Sequence, residues 1–234
     1  MGIKYIEKTE STNEYIKENL SRFSHLDAVY TLCQTNGRGR LGRSWSAEGG
    51  IALSVFIKNS DDPMLIPICA AVAVYNALKA SGIENLGIKW PNDILSNGKK
   101  LCGILCEGVS GGYVVGIGVN NKQTKDFFEK MELPYATSVE ILGYEALDEQ
   151  GFAEACLKEL KKALDFNCEQ LIYLFSSECI NLGKNVKIIK NGEEKVALAV
   201  GISSDGGLVV EINGNRETVI SGEVSVRGIY GYDE

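Results

Sequence analysis

The segment from Gly87 to Asn120 constrains the fold of this 234-residue chain more than any other. It holds four short runs that read as strands, 87–90, 93–95, 99–107 and 113–120, with no helix-length spacer between them. Asn97-Gly98 is the residue pair of a tight hairpin, since both central positions of that turn require positive φ. Ser110-Gly111-Gly112 marks a second turn. A sheet follows, and its apolar strands need a cover. Asp62-Pro63 places Pro in the first turn of a long helix ending near Ser81-Gly82, and 148–181 reads as two helices broken near Asn167-Cys168. Upstream, Ser11-Thr12-Asn13-Glu14 is a capping box opening a helix that runs to about Leu20. Residues 28–33 and 51–57 read as strands, and 34–45 between them, without apolar periodicity, as a loop.

From Leu182 the texture changes. Five short β-rich runs alternate with the turn signals Asn191-Gly192, Asp205-Gly206-Gly207 and Asn213-Gly214-Asn215, the pattern of a small closed β-barrel. So small a module packs on the rest rather than standing alone. The expected division is therefore 1–181 and 182–234.

Composition excludes several classes. With 44% hydrophobic and 24% charged residues the chain is globular, neither disordered nor fibrous. A net charge of −7 argues against broad binding to nucleic-acid backbones, so any basic cluster is a local site. The most apolar stretch, 64–78, is interrupted by Pro67 and Asn76 and falls short of the roughly 20 residues of a membrane span. The first residues lack both the apolar core of a secretory signal and a myristoylation motif, which points to the cytoplasm. Seven Cys, an odd number with no CxxC, read as reduced thiols. The single His, His25, sits in a polar stretch with no partner for zinc or for a nucleophile–base pair and reads as a solvated loop residue.

Chemistry concentrates in three places. In Gly37-Arg38-Gly39-Arg40-Leu41-Gly42-Arg43-Ser44-Trp45, glycines allow close backbone approach and arginines offer forked donors matched to phosphate. A solvated basic loop or an arginine–glycine RNA-binding tract are the competing readings; neither a P-loop nor a dinucleotide fingerprint is present. Lys89-Trp90-Pro91-Asn92-Asp93 places Asn92 and Asp93 at a strand exit. Lys100 then opens an apolar strand in which Gly103 leaves room for a ligand, although Lys99 and Lys100 also fit a solvated hairpin pair. Third, 114–121 is an apolar strand ending in amides.

Taken together these motifs resemble the biotin–protein ligase family. The match comprises STN at 11–13, GRGRLGRSW at 37–45, KWPND at 89–93, GKKLCGIL at 98–105, GIGVNN at 116–121, ATSVE at 136–140 and GEVSVRG at 222–228, in family order and over nearly the whole chain. The resemblance implies an α/β (α+β) fold: a mixed-sheet catalytic domain similar to class II aminoacyl-tRNA synthetases, plus a small C-terminal β-barrel. It implies that biotin and ATP, with magnesium, give biotinyl-5′-adenylate, and that the biotinyl group then passes to a lysine of a biotin carrier protein or carboxylase subunit.

By the same resemblance Lys100, Arg38 and Arg40 would be catalytic, with Lys100 holding the biotin carboxylate against the α-phosphate. Ser11, Thr12, Asn13 and Gln34 would bind the ureido ring, with Gly37, Gly39 and Gly103 lining the biotin site. Arg43, Trp45, Asn92 and Asn120 would bind ATP or the adenylate beside Arg38 and Arg40. Asp93 would meet magnesium, and either Asp93 or water would take the proton of the incoming amine. STN begins at residue 11, so the expectation is a single-function ligase without a DNA-binding domain, without nucleic-acid or membrane partners, and able to form a homodimer. Thr35-Asn36 and Ala47-Glu48 depart from the usual family residues in the loop. The rivals are a lipoate–protein ligase, which shares the fold, and a non-catalytic biotin or nucleotide sensor.

Overall fold

A computed structural model describes residues 1–59, 63–190, 193–220 and 225–227. In chain order the elements begin with β1 (Ile3–Tyr5), α1 (Thr12–Glu18), β2 (Ala28–Thr31), the two-residue strands β3 (Gly37–Arg38) and β4 (Ser44–Trp45), β5 (Gly50–Lys58) and α2 (Ile66–Ala80). Then come β6 (Leu86–Lys89), β7 (Asp93–Ser96), β8 (Lys99–Val109), β9 (Gly112–Asn120), α3 (Lys125–Lys130), α4 (Glu149–Asp165) and α5 (Cys168–Glu178). The last strands are β10 (Asn185–Lys190), β11 (Glu193–Ile202), β12 (Leu208–Ile212), β13 (Asn215–Val219) and β14 (Ser225–Arg227).

Seven strands form one mixed sheet in the order β1-β2-β5-β9-β8-β7-β6. Only β1 and β2 run parallel within it. Asn97 and Gly98 adopt φ of 49° and 75°, as a tight hairpin turn requires, and Gly111 turns β8 into β9. Alternation then assigns the two faces. Ile51, Leu53, Val55 and Ile57 of β5, with Val115, Ile117 and Val119 of β9, point into the main core, where α2, α4 and α5 cover them. The other face meets α1, where Ile16 packs with Val29, Phe56 and Val114.

Local signals explain the helices. The Ser11 hydroxyl accepts the Glu14 N–H at the start of α1, although Glu14 turns its carboxylate to Lys17 instead of closing the box. Asn167 and Gln170 form a complete capping box at the predicted break before α5. The proline in the first turn of α2 is Pro67, not Pro63, which starts a separate 3-10 turn at 63–65; Asp62 lies outside the described residues. Sequence reading passed over α3, which Thr124 caps. No helix among the described residues is long and apolar enough to cross a membrane. All seven cysteines are free, and burial pushes the Cys106 thiol up to about 12.

The C-terminal strands form an antiparallel sheet ordered β13-β12-β11-β10-β14. Closure into the expected barrel needs a ladder between β13 and β14, and none is present among the described residues. The Asn191-Gly192 turn and most of the GEVSVRG motif, all but 225–227, lie outside them. This sheet is fastened to the larger one through fully buried Trp90, whose indole N–H donates to Gly206 O at 2.9 Å. The Trp90 backbone N–H donates to Asn181 Oδ1 at 2.8 Å.

Candidate active site

On the α1 side the middle of the main sheet is nearly bare. Gly103 pairs with Gly118, which pairs with Ala52, and Leu105 pairs with Gly116, which pairs with Ser54. Three glycines and an alanine at the centre of a sheet leave little side-chain bulk to fill the space. A cavity of about 680 Å³ stands above them, a size suited to a small-molecule ligand. The bareness is required by what lies over it. A Cβ on Gly118 would sit 2.5 Å from the Trp45 ring, and one on Gly116 2.5 Å from Asn13 Oδ1.

One irregularity delivers the cation. By alternation with Gly103, Leu105 and Glu107, Leu101 would face the cavity and Lys100 the helices. The ladder between β7 and β8 shifts here, Ile94 pairing with Cys102 and Leu95 with Lys100, so that Leu101 is an extra residue. The bulge reverses the phase. Leu101 is fully buried in the core, while Lys100 reaches the cavity floor beside Gly103. Its ammonium lies 2.7 Å from Asp93 Oδ1, with the two side chains 35% and 13% exposed. Tyr135 and the start of the ATSVE segment hold the backbone there: Lys100 N–H donates to Tyr135 O at 2.8 Å, and Thr137 N–H donates to Lys100 O at 2.9 Å.

At the other end of the cavity Ser11, Thr12 and Asn13 are buried. Thr12 N–H donates to Gln34 Oε1 at 2.8 Å, Ser54 Oγ lies 2.7 Å from Thr12 Oγ1, and Asn13 Nδ2 donates to Glu107 at 2.6 Å. The arginine segment is not the irregular loop expected from its composition. β3 and β4 pair as a hairpin, Gly37 with Trp45 and Arg38 with Ser44, spanned by a 3-10 turn at 40–42. Arg40 is half-buried and donates to Asn92 Oδ1 at 3.0 Å, while Asn92 Nδ2 donates to Ile104 O at 2.7 Å. Burial pushes the Arg40 pKa below its ordinary value, Asp93 opposes that, and Arg43 adds to it. Arg38 and Arg43 are exposed at the rim, Arg38 lying 4.0 Å from Glu14.

The structure therefore gathers Ser11, Thr12, Asn13, Gln34, Arg38, Gly39, Arg40, Arg43, Trp45, Asn92, Asp93, Lys100, Gly103 and Asn120 around one cavity. Gly37 is the exception: it is buried behind the lining, where a Cβ would meet the Gln34 side chain at 2.1 Å and Trp45 O at 2.3 Å. Asn92 and Asp93 are half-buried rather than exposed at the strand exit. His25 is exposed, its Nδ1 accepting the Lys58 N–H at the end of β5. Sequence reading did not single out Ser54 or Glu107. It also missed Phe127, Phe128, Met131 and Leu133 at the mouth, or Lys187 and Glu194, which reach the rim from the C-terminal sheet. The apolar group had a local signal, the Phe127-Phe128 pair after the Thr124 cap. Lys187 and Glu194 had none, since only the packing of the two sheets brings them there.

Two family models match the chain: the Biotin/lipoate A/B protein ligase family over residues 5–122, and the Biotin protein ligase C terminal domain over residues 182–227. The biotin–[acetyl-CoA-carboxylase] ligase of Mycobacterium tuberculosis is 31% identical over 94% of this chain and 86% of its own length. The bifunctional ligase/repressor of Escherichia coli K12 is 29% identical over 93% of this chain and 72% of its own. Among solved structures, the biotin protein ligase from Aquifex aeolicus in complex with biotin and ATP superimposes with a TM-score of 0.86 at 28% identity. That match covers 97% of this chain and 98% of the other.

Proposed function

The chain belongs to the biotin–protein ligase family, and from that premise we propose how its cavity performs the reaction. The enzyme activates biotin with ATP as biotinyl-5′-adenylate and transfers the biotinyl group to a protein lysine. The observation that carries the residue assignment is the Lys100 ammonium, brought by a bulge onto an otherwise side-chain-poor floor.

In the first step a biotin carboxylate oxygen attacks the α-phosphorus of ATP and pyrophosphate leaves. Two anions must approach, so positive charge fixed at the meeting point is the main catalytic need. Lys100 supplies it, held by Asp93 and by the backbone bonds of 135–137. Arg40, anchored on Asn92, supports the phosphate from the hairpin side, and Arg38 and Arg43 close from the rim. Ser11, Thr12, Asn13 and Gln34 take the ureido ring, and Gly39 and Gly103 let it approach the backbone. Trp45 and Asn120 enclose the adenylate, with Lys187 and Glu194 of segment 182–234 at its edge. In the second step the amine of a carrier lysine attacks the acyl carbon and AMP leaves, the amine proton passing to Asp93 or to water.

Magnesium accompanies the nucleotide in this reading. Among the described residues no group of three His, Cys, Asp or Glu side chains is placed to hold a metal, and Asp93 is committed to Lys100. The residues do not fit an ion held by the protein, and no step is routed through one. The carrier is a carboxylase subunit or carrier domain in the cytoplasm, in keeping with the name of the Mycobacterium tuberculosis relative. The strand edge of β1, which has no further sheet partner among the described residues, is the surface proposed for pairing two copies. The test is transfer of biotin to a purified carrier domain. Labelling should require ATP, and labelling with lipoate but not biotin would overturn the reading.

A further inference from the structure

The ureido end of the cavity is wired to a carboxylate that neither chemical step uses. Glu107 lies on β8 on the cavity face, and its side chain is 31% exposed. Its two oxygens have different partners: Oε2 accepts from Asn13 Nδ2 at 2.6 Å, and Oε1 accepts from Lys17 Nζ at 2.7 Å. Lys17 also donates to Glu14 at 3.0 Å. Burial opposes the Lys17 charge, but its bonds to Glu107 and Glu14 outweigh that and raise its pKa above the ordinary value.

Beyond Asn13 the chain of bonds has one available direction. Asn13 Nδ2 is turned to Glu107, so Oδ1 faces Ser54 Oγ at 2.5 Å. Ser54 is fully buried and also lies 2.7 Å from Thr12 Oγ1. A serine has a single hydroxyl hydrogen, and an amide oxygen can only accept. The Ser54 hydrogen therefore goes to Asn13. Thr12 Oγ1 also lies 3.2 Å from Gln34 Oε1, but the shorter 2.7 Å contact with Ser54 needs a hydrogen that Ser54 cannot give, so Thr12 donates to Ser54. We infer that Glu107 is a positioning residue that sets the direction of this relay and thereby presents Thr12 Oγ1 to the ligand with its lone pairs alone. This rests on the proposed placement of the ureido ring at Thr12. A ureido N–H is the group such an acceptor selects, and the sulfur-bearing ring of lipoate offers none.

The role of Lys17 makes the inference testable. In Glu107→Gln, Lys17 still requires an oxygen, so the new amide turns its NH₂ toward Asn13. Asn13 must then flip, Ser54 donates to Thr12, and the Thr12 hydrogen is released toward Gln34 or the ligand. Biotin affinity of the full chain, measured by calorimetry, should fall roughly five- to fiftyfold. Lys17→Met alone removes two partly exposed ion pairs, to Glu107 and Glu14, and should stay within about threefold of the parent. In the double variant Lys17→Met with Glu107→Gln, the amide can turn its oxygen to Asn13, and affinity should return to within about threefold of Lys17→Met. Ser54→Ala cuts the relay, so Glu107→Gln added to it should cost nothing more.

Glu107→Gln binding biotin within about twofold of the parent would overturn the inference, since a reversed relay predicts a larger loss. So would a loss that persists unchanged in the double variant, the mark of a general packing role. A parent chain that binds no biotin would instead overturn the site reading, and the relay with it.

Discussion

Replacing Lys100 with Ala should have two separable consequences. The ammonium sits 2.7 Å from an Asp93 carboxylate that is only 13% exposed. Removing it leaves that carboxylate without its nearest cation, at a cost of about 2 kcal/mol for a charged group left partly unsatisfied. For a chain of this length that is a fall in Tm of roughly 4–8 °C. The second consequence is chemical: loss of one preorganised charge at the reacting centre slows the step by roughly a hundredfold to a thousandfold. The double variant Asp93→Asn with Lys100→Ala separates them. With the carboxylate neutralised most of the lost Tm should return, while adenylate formation stays slow. Circular-dichroism melting reads the first quantity, and single-turnover pyrophosphate release the second. Lys100→Ala running both half-reactions at the parent rate would refute the mechanism, and a Tm that the second substitution does not restore would refute the electrostatic account of the pair.

Three further outcomes follow from the same geometry. Gly118→Val places branched carbon where Trp45 lies, so the ATP KM should rise about tenfold or more while Tm stays within about 3 °C, because valine suits a strand; unchanged Trp fluorescence and KM would count against that packing. Trp90→Phe removes the donor to Gly206 O and leaves a void, and should cost about 2–3 kcal/mol by urea unfolding. The hydrogen bond from Lys122 holds the Glu149 pKa below its ordinary value. Its contribution is therefore present above the ordinary carboxylate range and lost as pH falls through the lowered value. Glu149→Gln should trail the parent by less than about 1 kcal/mol near neutrality and match it in strong acid, and a gap constant with pH would exclude this linkage.

Local chemistry was legible in the sequence wherever one short segment determined it. Asn97-Gly98, the Ser11 cap and the Asn167 break are each settled by a few neighbouring residues, and each appears in the structure where the sequence puts it. The cavity lining was legible too, because the motifs mark strand ends and glycines that converge on one sheet face. What composition hid was pairing. The arginine segment has no apolar periodicity, yet two of its residues on each side form a ladder. Gly37 reads as a binding glycine but serves the packing of Gln34 against the Trp45 backbone. Ser54 and Glu107 sit in ordinary strand sequence, and their meaning exists only across the sheet, opposite α1.

The extra residue at Leu101 also bears on how far this enzyme can be stabilised. A regular β7–β8 ladder would gain the hydrogen bonds that the bulge interrupts and would be the natural target of any redesign toward an ideal sheet. It would also rotate Lys100 into the helices and bring Leu101 onto the floor. The defect is thus a standing trade between order and activity. Inserting one residue between Ile94 and Leu95, as a partner for Leu101, would make that ladder regular and should give a protein that retains the cavity and has lost its chemistry, whereas deleting Leu101 would leave Lys100 on the floor.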